Sequence, residues 1–265
     1  MIFHSPFEYS YLWLPLIGFV IGLLASMVGS GGGFFFLPVL ILLFKMPAQM
    51  AVSTSLAATL PICIVGSVNH YRHDNINLKM GLLFIISGII GSIAGAGLTS
   101  IVTPLQLKRG FGIYSILIAI PILVSYYRRK HIELKEIPRS GRIDIKKISK
   151  GSVYGLLAGV ITGSFGTSGA APVLAGLLSL NLPIKLVAGT SLMIVMINTI
   201  SALGAHFLIG EIDLTMVYLL ATGSVVGAFS GPAVLSGLKT AKAEGPVRKW
   251  YAFAMIIFGI IILFS

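Results

Sequence analysis

The chain alternates long runs that lack Asp, Glu, Lys and Arg with short charged connections. In the first half the charge-free runs cover 12–44, 46–71, 80–107 and 110–127; in the second they cover 151–184, 186–210, 214–238 and 250–265. About 20 apolar residues are enough for a helix to cross a bilayer, so most runs predict one transmembrane helix. The first run of each half is too long for one helix and carries a glycine cluster. The clusters are Gly29-Ser30-Gly31-Gly32-Gly33, followed by Pro38, and Gly163-Ser164-Phe165-Gly166-Thr167-Ser168-Gly169, followed by Pro172. Clustered glycine with a nearby proline does not continue a helix. Each long run therefore predicts a hairpin of helix, break and shorter helix. The expected fold is an all-α integral membrane protein with about five helical segments per half.

The two halves align. Gly18, Gly22, Gly29 and Gly32 match Gly155, Gly159, Gly166 and Gly169 at an offset of 137. After a one-residue gap, Pro47, Thr54-Ser55-Leu56 and His70 match Pro183, Thr190-Ser191-Leu192 and His206 at 136. Ile76-Asn77-Leu78-Lys79-Met80 then matches Ile212-Asp213-Leu214-Thr215-Met216, and Gly91 and Gly95 match Gly227 and Gly231. An ordered series at a nearly constant offset is the mark of duplication. It divides the chain into a first transmembrane repeat at 1–127, a basic loop at 128–150 and a second repeat at 151–265.

Composition sharpens this picture. Of 265 residues, 56% are hydrophobic and 10% charged, against about 25% charged in soluble domains. The net charge of +11 would suit a nucleic-acid partner, but nine of the 19 Lys and Arg lie between Arg128 and Lys150. One basic loop in a membrane protein reads as cytoplasmic, and no nucleic acid is implied. An N-terminus without Lys or Arg then falls outside, as do the C-terminus and the 209–213 loop. The 237–249 loop falls inside, and Lys108-Arg109, placed outside, disagrees with the charge rule. An odd number of segments makes the repeats opposite in topology, whether the hairpins cross or re-enter; such inverted repeats are common in transporters. The start lacks the basic stretch of a cleaved signal. The single Cys63 excludes a disulfide within the chain.

Unwound backbone at membrane depth is tolerated where it is buried in protein or lines a cavity. A break followed by a helix offers free N–H groups and the positive end of the helix dipole, which favour an anion. Ser30, Gly31, Gly32 and Gly33 in the first break, and Thr167, Ser168 and Gly169 in the second, are therefore candidate substrate-binding residues. Thr54, Ser55, Thr190 and Ser191 could complete the site or bond back to their own helices. His70 and His206, matched across the repeat, are candidate gating or proton-carrying groups. All eight acidic residues lie outside the charge-free runs, whereas cation and proton pumps commonly carry an intramembrane carboxylate. The cargo is then an anion or a neutral solute, with no cofactor and no metal. The partners are the small substrate, the lipid bilayer and, as an option, a second copy of the chain.

Two other readings compete. Gly166-Thr167-Ser168-Gly169 has the G-x-S-G form of intramembrane serine proteases, and His206 could act as the base for Ser168. Against it, Ser168 matches Gly31 across the repeat, as though one cradle varied. An anion channel is the other alternative.

The stretch Gly22-Leu23-Leu24-Ala25-Ser26-Met27-Val28-Gly29-Ser30-Gly31-Gly32-Gly33 with Pro38, and its second copy from Gly155-Leu156-Leu157-Ala158-Gly159 through Gly163, Gly166 and Pro172 to Gly189-Thr190-Ser191-Leu192, resembles the TauE/SafE family of sulfite exporters. The resemblance covers nearly the full chain. It implies a permease of a bacterial or archaeal inner membrane that moves sulfite or an organosulfonate, by export or uptake. The second break departs from the first in carrying Ser168 and Ala170 where the first has Gly31 and Gly33, so the half-sites need not contact substrate equally.

Overall fold

Two glycines held in the left-handed region open the second helix of each half, Gly32 at φ +78° and Gly169 at φ +54°. Only a residue without Cβ adopts that conformation freely, so the breaks are written into the sequence at these positions. A computed structural model describes residues 2–28, 30–128, 145–180, 182–237 and 240–264; Gly29 and most of the 128–150 loop lie outside the described residues. The first half holds α1 (Leu14–Val28), α2 (Gly33–Leu42), α3 (Ala48–Arg72), α4 (Leu78–Ile101) and α5 (Pro104–Arg128). The second holds α6 (Ile145–Phe165), α7 (Ala170–Ser179), α8 (Ile184–Ile209), α9 (Leu214–Gly237) and α10 (Thr240–Phe264). Two short strands, β1 (Ile2–Phe3) and β2 (Ile212–Asp213), pair in parallel. The chain is an all-α membrane protein, and five of its described helical stretches are long and apolar enough to cross a bilayer.

The first hairpin turns back on itself. Tyr11, just before α1, and Phe44, just after α2, meet with ring centroids 5.7 Å apart. The entry and exit of the hairpin are thus side by side, which places the break at its tip.

Helix packing links the halves. The helix α1 packs along α9, and α6 packs along α4. At the first contact Gly18 and Gly22 lie against the backbone of Leu220 and Ser224, while Gly227 lies against Phe19 and Leu23. At the second, Gly155 and Gly159 lie against Phe84 and Gly88, while Gly91 lies against Leu156 and Val160. In both pairs the residue numbers climb together, so the helices run parallel. Lipid gives helices no hydrophobic reason to associate, and small residues that let backbones touch supply the packing instead. The helices α5 and α10 form a third pair, joined where Gly112 meets Gly259.

Three boundaries differ from the charge pattern. The helix α5 starts at Pro104, so Lys108 and Arg109 sit on its second turn and not in a connecting loop. The cause is a capping box: Thr103 N donates to Gln106 Oε1 (2.9 Å), and Gln106 N donates to Thr103 Oγ1 (3.3 Å). With proline at the first helical position, this is a strong start signal. Thr103→Ala should lower stability by about 0.5–2 kcal/mol, read as a fall in thermal midpoint in detergent. Likewise, α6 begins at Ile145 and α10 at Thr240, so parts of the expected 128–150 and 237–249 loops are helical backbone.

Candidate functional site

The tips of the two hairpins meet. Ser55, two turns into α3, donates its hydroxyl to Gly33 O (3.2 Å) and Gly166 O (2.9 Å), tying one break to the other. A Cβ on Gly31 would stand 3.2 Å from Ser168 Cβ, 3.0 Å from Cys63 Sγ and 3.2 Å from Val195 Cγ1. A Cβ on Gly33 would stand 2.8 Å from Thr59 Oγ1 and 2.9 Å from Ser168 N. The glycines are therefore required for the approach of the tips, quite apart from backbone freedom.

The junction is buried and short of hydrogen-bond partners. Ser30, Thr167 and Ser168 are each at most 3% exposed. The hydroxyls of Thr59 and Ser191 are buried with no partner, and those of Ser30 and Thr167 make no close hydrogen bond and face only the phenols of Tyr251 and Tyr114. A buried hydroxyl without a hydrogen bond is destabilising by about 1–3 kcal/mol, and such groups point to a water or ligand that would complete them. The first N–H groups of α2 and α7 also lack partners within their helices. Donors thus converge from both halves, and no carboxylate faces them: among the described residues the one buried acidic side chain is Asp213, whose Oδ1 accepts from Ser5 N, Thr215 N and Met216 N at the start of α9.

An aromatic wall flanks the junction on the α5–α10 side. Tyr251 lies 5.1 Å from Phe35 and 6.0 Å from Phe34, and Tyr114 stacks on Phe165 at 5.5 Å. Tyr114 and Tyr251 hold matching positions in the two halves, again at an offset of 137.

The expected residues divide into groups. Ser30, Gly31, Gly33 and Ser168 lie at the junction, with Gly32 and Gly169 setting its backbone; Thr167 is buried in the second break, beside Ser168. Ser55 is beside them, but its hydroxyl is committed to holding the tips together. Thr54 and Thr190 are elsewhere engaged: Asp213 N donates to Thr54 Oγ1 (3.2 Å) and Asn77 N to Thr190 Oγ1 (2.9 Å). Those two bonds occupy equivalent positions and pin the loops before α9 and α4. His70 and His206 stand in the last turns of α3 and α8. The ring nitrogens of His206 face Gly163 O and Ser53 Oγ, so His206 is not paired with Ser168 as a protease dyad would require.

Sequence reasoning passed over Thr59 and Asn198. Thr59 was visible as the middle of a Ser55, Thr59, Cys63 stripe at i, i+4 and i+8, which is one helix face. Asn198, fully buried against Gly88, has neither amide atom partnered. Its match in the first half is Ile62, and a polar residue facing an apolar mate was the available signal.

Among the described residues ten α-helices, two of them short and folded back so that their unwound tips meet inside the protein, make up a polytopic membrane transporter. The family described as "Sulfite exporter TauE/SafE" matches residues 14–262, and the chain belongs to it. It is similar to "Probable membrane transporter protein YdhB" of Bacillus subtilis (strain 168), 30% identical over 217 residues, 82% of this chain and 86% of the relative. It is also similar to "Probable membrane transporter protein MJ0441" of Methanocaldococcus jannaschii, 30% identical over 212 residues, 77% of this chain and 75% of the relative. A second Bacillus subtilis relative, "Probable membrane transporter protein YunE", is 24% identical over 247 residues, 87% of this chain and 90% of the relative. These names describe membrane transporters and none describes an enzyme.

Proposed function

We propose that the protein is a permease that carries a small anion, a sulfur oxyanion such as sulfite or an organosulfonate, across a bacterial or archaeal inner membrane. The observation that carries this reading is the junction of the two breaks, where the buried hydroxyls of Ser30, Thr59 and Thr167 and two helix N-termini converge with no carboxylate among them. Such a site offers donors and positive dipole ends, which is what an oxyanion needs. The sulfur in the cargo rests on the family's description alone.

The paired contacts of the glycine helices support two repeats, 1–127 and 151–265, related by inversion. In a chain whose segments alternate direction, α1 and α9 are parallel only if the halves are opposed. The basic 128–150 loop then lies in the cytoplasm with both termini outside. On this orientation the anion leaves with the field: an inside-negative potential favours export by about 2.3 kcal/mol per charge per 100 mV. Carrier and channel are separated by turnover, since a carrier saturates.

The junction is tested by Ser30→Ala, Thr59→Ala and Thr167→Ala, each removing one buried hydroxyl; Thr59 is the cleanest of the three, because the phenols of Tyr251 and Tyr114 interact with Ser30 and Thr167. Each should raise the half-saturating sulfite concentration by about tenfold to a hundredfold, the effect of one hydrogen bond to a charged ligand, with folded yield unchanged. Unaltered saturation in all three would remove the junction as the binding site.

A further inference from the structure

A phenol stands at each break, and the two cross between the halves. Tyr251, on α10 in the second half, faces Ser30 in the first break. Tyr114, on α5 in the first half, faces Thr167 in the second break. An offset of 137 relates Tyr114 to Tyr251 and Ser30 to Thr167, so one contact is made twice. The two phenols also lie near enough to each other to interact.

Packing explains the rings but not their hydroxyls. Phe35 and Phe34 flank Tyr251 with ring centroids 5.1 and 6.0 Å away, and Phe165 and Phe111 flank Tyr114 at 5.5 and 6.4 Å. These neighbours are not repeated. The mates of Phe34 and Phe35 are Ala171 and Pro172, and those of Phe111 and Phe165 are Arg248 and Val28. The phenol and the hydroxyl that faces it recur in both halves, while the rings around them do not. Phenylalanine fills the rest of this wall, so a ring alone would not need the phenol oxygen.

The hydroxyl pairs are loose. Ser30 and Thr167 are buried, yet neither makes a close hydrogen bond within the protein. Thr59, fully buried on α3 beside the same tips, has no partner. Each phenol therefore shares buried space with a hydroxyl whose bonding capacity is unused. A phenol is more acidic than an aliphatic hydroxyl and so a better donor. A hydrogen bond to an ionised acceptor is also about twice as strong as one between neutral groups. The phenol carries no fixed charge that would keep an anion from leaving.

We propose that Tyr114 and Tyr251 are binding residues for the oxyanion, each reaching from one half to the break of the other, so that a phenol and the hydroxyl of Ser30 or Thr167 close on the anion together. This inference rests on the anion reading above and adds the residues that reach the junction from α5 and α10. The crossing has a consequence for the duplication. The break of one repeat is completed by a helix of the other, so neither repeat holds a full half-site by itself.

The test is the saturation of radiolabelled sulfite efflux by the full chain in proteoliposomes, for the native protein, Tyr114→Phe and Tyr251→Phe. Each variant keeps its ring, so the thermal midpoint in detergent should hold. Each should raise the half-saturating concentration by about tenfold to a hundredfold, with a smaller change in the maximal rate. Groups in contact couple, whereas separated groups add. Tyr251→Phe should therefore do less in a Ser30→Ala background than in a Thr167→Ala background, and Tyr114→Phe the reverse. Unchanged half-saturation in both variants, or a loss confined to the maximal rate, would overturn the phenols as binding residues and leave the anion reading standing. Equal effects in the two backgrounds would overturn the crossed pairing. A native chain without saturable sulfite efflux would overturn the anion reading and this inference with it.

Discussion

Gly159→Val should abolish folded protein. A Cβ at Gly159 would collide with the carbonyl oxygen of Gly88 and stand 2.8 Å from Ser92 N. Both obstacles are backbone, so no rotamer can relieve them. Overpacking a core is destabilising by about 1–3 kcal/mol when side chains can shift; here α4 and α6 would have to separate, and in lipid their association depends on that closeness. The matching change, Gly22→Val, meets the Ser224 backbone and should fail alike. Gly97→Ala and Gly204→Ala are the controls, because a Cβ at either has nothing within 4 Å. They should be neutral or stabilising by up to about 1 kcal/mol, since alanine suits a helix interior better than glycine. Monodisperse yield and thermal midpoint in detergent read all four. A normal yield of Gly159→Val would show that the α4–α6 contact is looser than described.

Gly33→Ala should lower transport about 100-fold, or about 2.7 kcal/mol in the barrier, while leaving the fold intact. Gly33 is the first residue of α2 and, unlike Gly31, Gly32, Gly166 and Gly169, does not need a positive φ. Alanine there is conformationally favourable. Its methyl would nonetheless enter the junction, 2.8 Å from Thr59 Oγ1 and 2.9 Å from Ser168 N. Thr59 can rotate away, but the Ser168 backbone cannot, so the tips must part by a few tenths of an ångström. That displaces the donors on which an oxyanion would rest, and catalytic or binding geometry of this kind is sensitive to small shifts. Thermal midpoint separates this from unfolding. Full transport in a folded Gly33→Ala variant would mean that the cargo passes elsewhere.

Much of the architecture was legible because lipid leaves few choices. Charge-free runs located the helices, and clusters of glycine with proline located the two breaks, since backbone that cannot stay helical must be sheltered within protein. Thr54 and Thr190, paired in the sequence alignment, accept from Asp213 N and Asn77 N, which the alignment also pairs. The same example shows what sequence could not resolve. Both threonines look like site residues by position, but a hydroxyl has few bonds to give, and these are used to hold loops. Ser55 is the intermediate case, lying at the junction with its proton already committed to two carbonyls. The start of α5 was misplaced because two charges outweighed the Thr103–Gln106 capping box in the reading of the pattern. Thr59 and Asn198 were missed because their signals, a one-face stripe with Ser55 and Cys63 and a polar residue matched to Ile62, gain meaning only from what lies opposite in space.

The central claim is that an oxyanion crosses the membrane through the junction of the breaks. Its most direct test is efflux of radiolabelled sulfite from preloaded proteoliposomes under an imposed inside-negative potential, comparing the native chain with Ser30→Ala/Thr167→Ala. The account predicts saturable efflux from the native protein that quickens with the potential, and efflux near the protein-free level from the double variant at low sulfite. Efflux that ignores the potential, or that is equal in the two proteins, would contradict it.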